Sequence, residues 1–123
     1  MKIRVYYDDT DAGGIVYHAN YLKFCERARS ELFFQRGMSP TQNNAHFVVK
    51  HIEADFIRSA KLGDMLEVKH KILDLKNASL TLIQSVWLDD IKLFEMTSIL
   101  AYVKEGRPIR IDPKSKEFFL SIF

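Results

Sequence analysis

The residues of this chain best equipped for chemistry crowd into one stretch, Tyr6-Tyr7-Asp8-Asp9-Thr10-Asp11-Ala12-Gly13-Gly14-Ile15-Val16-Tyr17-His18-Ala19-Asn20. Acids, a flexible glycine pair and a histidine there precede a long amphipathic segment. Asp11 is the first candidate for catalysis, because Gly13 and Gly14 let a substrate approach the backbone beside it and a helix start lies just ahead. A carboxylate so placed acts as a general base on water or as a nucleophile, and general-base assistance is worth about 10²–10⁴ in rate. The unpaired N–H groups of a helix N-terminus would add on the order of 3 kcal/mol of oxyanion stabilisation. The competing reading of Asp11 is a loop aspartate that closes an Asx-turn or caps the helix. Asp8 and Asp9 extend the acidic run, but an oxygen cage for a divalent cation needs more ligands than the segment offers, so no metal is expected. His18 is placed to hydrogen-bond a carboxylate, a substrate carbonyl or a water, and its alternative is a solvent-facing histidine at a helix start. Tyr7 and Tyr17 bracket the loop and, with Ile15 and Val16, would shape an apolar mouth or else pack into the core. Cys25 falls on an apolar stripe and reads as core rather than nucleophile. His46, His51 and His70 fit no metal-ligand spacing, and no P-loop, dinucleotide fingerprint, serine elbow or CxxC pair is present.

These groups need elements to hold them. Residues 21–36 set Tyr21, Leu22, Phe24, Cys25, Ala28, Leu32 and Phe33 on one stripe at helical spacing, with Asn20 suited to the N-cap and Gly37 to the C′ stop. Residues 1–7 alternate as a short strand. Beyond a polar connector, Ser39 to Asn44, the period changes. Phe47 to Phe56, Met65 to Leu75, Ser79 to Leu88 and Ile91 to Val103 read as four long strands joined by short turns, hence antiparallel neighbours. One helix and five strands make an α+β domain in which a single antiparallel sheet wraps the helix. The tail, with Pro113 and then Phe118, Phe119, Leu120, Ile122 and Phe123, suggests a short docking helix. In Ile91 to Val103 both alternating faces are largely apolar, so a second subunit is expected on the outer face or on a strand edge, with coverage by the tail as the alternative.

Composition bounds the remaining choices. At 123 residues the chain is one domain, residues 1–123, able to bury roughly two-thirds of its extended surface. An apolar fraction of 47% with no run near the ~18 residues of a membrane span predicts neither a transmembrane helix nor a signal peptide. The single cysteine suits a reducing, cytoplasmic setting. A net charge of +2 does not argue for nucleic acid. Basic residues do gather locally, at Arg58 with Lys61 and at Lys104, Arg107 and Arg110, where phosphates or plain solvent would be met.

The string VYYDDTDAGGIVYHANYLKFCERAR resembles the N-terminal signature of the YbgC-like acyl-CoA thioesterases, in the 4-hydroxybenzoyl-CoA thioesterase group of the hotdog fold. The likeness continues through Phe56-Ile57-Arg58-Ser59-Ala60-Lys61-Leu62-Gly63-Asp64 and the Gly106-Arg107-Pro108-Ile109-Arg110-Ile111 ending, and departs only at tolerated positions such as Gly13-Gly14 and Asn20. The resemblance implies a five-stranded antiparallel hotdog sheet around one long central helix. It aligns the family's catalytic aspartate with Asp11, its added histidine with His18, and a supporting tyrosine with Tyr7. It further implies substrate contacts from Gly14, Ile15, Val16, Tyr17 and Asn20, and from the turn Arg58, Ser59 and Ala60 facing the thioester or pantetheine arm. Arg58, Lys61 or Arg107 would stand near the nucleotide phosphates. Two sheets joined edge to edge would form a homodimer with sites between subunits, often pairing into a homotetramer, a role in lipid metabolism and a peripheral association with membrane phospholipid enzymes being compatible with the family.

The expected activity is hydrolysis of an acyl-CoA thioester to a free acid and coenzyme A, with Asp11 as general base or nucleophile and no cofactor. Two rivals share the architecture. A hotdog dehydratase needs a histidine facing an acid across the site in another sequence setting, and product analysis with a hydroxyacyl substrate separates it. A non-enzymatic acyl-CoA-binding protein would bind tightly without hydrolysis.

Overall fold

A computed structural model describes residues 1–123. In chain order the elements are β1 (Lys2–Arg4), a 3₁₀ turn (Tyr7–Asp9), α1 (His18–Phe34), β2 (Ala45–Phe56), β3 (Met65–Leu75), β4 (Ser79–Leu88), β5 (Ile91–Lys104), β6 (Arg107–Pro108) and α2 (Pro113–Ile122). All strands join one antiparallel sheet of order β1-β3-β4-β5-β2, with the two-residue β6 hairpinned onto β5. The sheet curls around α1, which is the helix-in-sheet arrangement the resemblance implies. The first strand is shorter than the expected 1–7. After Arg4 the chain leaves the sheet, Val5 N donating to Asp64 O, and enters the 3₁₀ turn.

The core follows from two periodicities meeting. On α1 the buried residues Tyr21, Phe24, Cys25, Ala28 and Phe33 recur at three- and four-residue steps. From the sheet, Leu66 and Val68 on β3, Val86 on β4, and Phe94 and Met96 on β5 share a cluster with the helix, while Leu80, Leu82 and Leu100 form a second one, all essentially inaccessible. Each such side chain stabilises the fold by about 1.5–3 kcal/mol through burial. Tyr21 stacks on Phe94 with centroids 5.1 Å apart, and Phe56 tilts against Phe94 at the same separation. The helix ends at Phe34 with Gln35 as its C-cap, two residues short of the expected 36, and Gly37, at φ +69°, lies one residue beyond C′ instead of at it, its amide donating to Phe34 O and the Met38 amide to Phe33 O. The tail forms α2, capped by Asp112 on the Ser115 amide with Pro113 in the first turn. It packs Phe119 and Ile122 against Phe33, Ala45 and Tyr102 at one end of the inner face. The outer face of β5, including Thr97, Ile99 and Ala101, therefore stays half-exposed and uncovered by the tail.

Candidate active site

The loop 10–17 is a tight, internally bonded turn. Thr10 pairs with Val16, the Asp11 amide donates to Ile15 O (2.8 Å), and the Gly14 amide donates to Asp11 O (3.0 Å). Gly14 sits at φ +81°, a conformation a side chain would strain. Within this turn Asp11 Oδ1 accepts from the Gly13 amide at 2.8 Å, the Asx-turn anticipated as the alternative reading, while Oδ2 has no hydrogen bond. Asp11 is exposed and lines an open cleft with Tyr7, Thr10, Ala12, Gly14 and Leu62. Tyr7 is 83% exposed on the same cleft.

Of the three acids, the one turned inward is Asp9. It is buried, and its carboxylate accepts from the Tyr6 amide (2.9 Å) and from Asn20 Nδ2 (3.0 Å), while its carbonyl accepts from the Tyr17 amide (2.9 Å). Asp9 thus clamps the loop to the first turn of α1. That corrects the expectation for Asn20: the N-cap position belongs to Tyr17, His18 opens the helix, and Asn20 spends its side chain on Asp9. Tyr17 provides no side-chain cap, and the His18 and Ala19 amides donate to no loop carbonyl. Two backbone donors and the positive end of the helix dipole are consequently free at this end.

A second segment is stitched alongside. Ile15 bridges Lys61, and the Val16 amide donates to Ala60 O at 2.9 Å. The fully buried Ala60 donates its own amide to Tyr21 Oη (3.0 Å), whose hydroxyl burial pushes above the ordinary phenol range. Asp64 Oδ2 accepts from the Lys61 amide. The result is a cleft lined by Ile15, Val16, His18, Tyr21, Phe56, Ile57, Arg58 and Ser59. Residues expected from two distant stretches, Gly14 to His18 and Arg58 to Lys61, are thereby brought together. Arg107 is not among them. Phe94 pairs with Phe56 beside the cleft, whereas Arg107 pairs with Lys104 ten residues further along β5, roughly 33 Å away at strand rise. The turn Glu105-Gly106, both at positive φ, folds Arg107 back onto that far end. Within one chain Arg107 cannot join this cleft.

The sheet-wrapped helix and its two-segment loop define the class. The family description "Thioesterase superfamily" matches residues 13–95, and the chain belongs to that superfamily. Within it, the acyl-CoA thioesterase YbgC of Helicobacter pylori is 48% identical over 87 residues, covering 71% of this chain. That match spans 65% of the relative's own length, a little under two-thirds. YbgC of Haemophilus influenzae is 39% identical over 126 residues, covering 97% of this chain and 92% of that protein. The crystal structure of a probable thioesterase from Bartonella henselae superposes with a TM-score of 0.85 at 33% identity, covering 91% of this chain and 97% of that one.

Proposed function

We propose that this protein hydrolyses acyl-CoA thioesters to a free acid and coenzyme A. The observation that carries the reading is the state of Asp11: one carboxylate oxygen is pinned by the Gly13 amide and the other is unbonded, in the loop that leads into a helix start with two free amides, although Asp11 with Tyr7 and His18 with Arg58 line separate clefts of one chain. Asp11 takes a proton from water as hydroxide adds to the thioester carbon, or its Oδ2 adds to that carbon itself and forms an acyl-aspartyl anhydride that water then cleaves. In either route the tetrahedral oxyanion is stabilised by the His18 and Ala19 amides, and collapse expels the coenzyme A thiolate. His18 orients the water or the carbonyl, and Tyr7 supports Asp11 across their shared cleft. Ile15, Val16 and Tyr17 border the reacting group, while Arg58, Ser59 and Lys61 receive the pantetheine and phosphate end. The relatives named acyl-CoA thioesterase support this choice of substrate. Thiol release from a panel of acyl-CoAs tests it, and unchanged turnover in Asp11→Asn would sink the mechanism.

The site is completed by a second copy of the chain. β2 is an edge strand of 12 residues bonded to β5 alone, with Val48, Val49 and Phe56 exposed along it. Long free edges of this kind are otherwise shortened, covered or heavily charged in soluble proteins. Light scattering on the eluting protein tests this, with a mass of twice or four times the chain expected and a monomer excluding it.

A further inference from the structure

Tyr21 uses only half of its hydroxyl within the chain. The residue is 3% exposed, and its oxygen accepts from the Ala60 amide at 3.0 Å. A phenol donates as well as accepts, yet the Tyr21 O–H donates to no group of the protein. Burial outweighs the Ala60 bond and, with the Asp64 charge adding to it, holds the phenol above its ordinary range, so the proton is in place at neutral pH. A desolvated donor left idle is costly unless an acceptor comes to it.

The position of that donor is fixed. The ring stacks on Phe94 with centroids 5.1 Å apart and meets Phe24 and Phe56 edge-on at 6.1 and 6.0 Å. Rotation about the C–O bond is the freedom left, and the Ala60 N–H occupies one side of the oxygen. Ala60 is fully buried, so the open side is that of the cleft, which Tyr21 lines with His18, Phe56, Arg58 and Ser59. Bracing Ala60 needs the oxygen alone and leaves the proton unused.

In the thioesterase reading, on which this inference rests, the helix start takes the reacting carbonyl and the Arg58–Lys61 segment takes the pantetheine arm. Tyr21 stands one turn beyond His18 on α1, its side chain leaning back toward the helix start, and it is bonded to Ala60 of that segment. Its hydroxyl therefore lies where the two parts of the ligand meet. In a pantetheine thioester the sulfur is followed by two methylenes and an amide, whose carbonyl is the nearest strong acceptor outside the reacting group. We propose that the Tyr21 hydroxyl is a substrate-binding donor to this amide carbonyl, so that the site recognises the thiol half of the thioester beside its acyl half.

Two esters of one acyl group test this on the intact protein: the N-acetylcysteamine thioester, and the pentane-1-thiol thioester in which methylenes replace the amide. The ratio of their kcat/KM values should fall about fivefold or more from wild type to Tyr21→Phe. A loosened Arg58–Lys61 segment slows both esters alike, and the greater apolarity of the pentyl chain is common to both proteins, so neither changes that comparison. Should Tyr21→Phe fail to fold, 3,5-difluorotyrosine at position 21 keeps the oxygen for the Ala60 amide and carries a more acidic phenol. His18, Arg58 and Asp64 are the charged or titratable groups around it, and the wild type measured at each pH carries their titration. As pH rises through the fluorinated phenol's pKa the donor is lost, so that protein's ratio should fall while the wild-type ratio holds. Turnover of the acyl-CoA panel decides hydrolysis itself. With hydrolysis present, a ratio unchanged in Tyr21→Phe, or in the fluorinated protein once its phenol is ionised, overturns the role of Tyr21 and leaves the thioesterase reading standing. No hydrolysis of any acyl-CoA removes both.

Discussion

The two neighbouring acids Asp9 and Asp11 should fail in opposite ways. Asp9→Ala removes a buried carboxylate that accepts from the Tyr6 amide and Asn20 Nδ2, leaving both donors without an acceptor. Hydrogen bonds to a charged group contribute about 1.5–3 kcal/mol each. Part of that is offset, because the variant no longer buries a charge, so the net loss is about 2–4 kcal/mol. With 123 residues and an unfolding entropy of about 2.1 cal/mol/K per residue, each kcal/mol lowers the melting temperature by roughly 4 °C. Asp9→Ala should therefore melt roughly 8–15 °C below wild type. Asp11→Asn keeps an oxygen for the Gly13 amide in an exposed turn, so its stability should stay within about 0.5 kcal/mol of wild type. Its turnover should fall about 10²–10⁴-fold. Calorimetry and thiol release on the same preparations read both effects. If Asp11→Asn loses more stability than Asp9→Ala, or if Asp9→Ala melts with wild type, the division into a clamping acid and a reacting acid is wrong.

Tyr21→Phe deprives the buried Ala60 amide of its acceptor and should cost about 1–3 kcal/mol in denaturant unfolding, while raising KM more than it lowers kcat as the 58–61 segment loosens. The buried Cys25 thiol is pushed up to about 12, so at pH 8 only about 10⁻⁴ of it is thiolate. A disulfide reagent should label it only in denaturant, and rapid labelling of the native protein would contradict its burial. Burial, aided by the N-terminal ammonium, lowers His70 below its ordinary 6.5. The unfolded chain thus gains the proton first as pH falls, so the His70 contribution is intact above about pH 6.5 and lost as pH drops toward the lower folded value. His70→Gln should flatten the denaturation midpoint between about pH 7 and about pH 5, and an unchanged slope would exclude His70 as its source.

How far the sequence could be read depended on the range over which each feature is decided. The strands Met65–Leu75 and Ser79–Leu88 match their expected limits because alternation and the turn formers beside them act within a few residues. β2 starts two residues before Phe47 because Asn43 and Asn44, both at positive φ, close a turn that brings Gln42 onto Ala45. The N-cap moved from the expected Asn20 to Tyr17 for a longer-range reason. Asn20 looks like a cap by type, yet Asp9, eleven residues away, claims its side chain. No periodicity tells which of Asp8, Asp9 and Asp11 turns inward, since the 3₁₀ turn at Tyr7–Asp9 decides it. The place of Arg107 within the chain had a local signal, as Glu105-Gly106 is a two-residue hairpin turn that must reverse the chain onto β5. Arg29 had none. Its partner Gln84 is 55 positions away, and a charged residue beside an apolar helical stripe reads as solvent-facing until the sheet closes over it. The groups found only in three dimensions are therefore polar ones turned inward, the buried Asp9 and the half-buried Arg29. For these, a partner distant in sequence decides between a costly charge and a useful one.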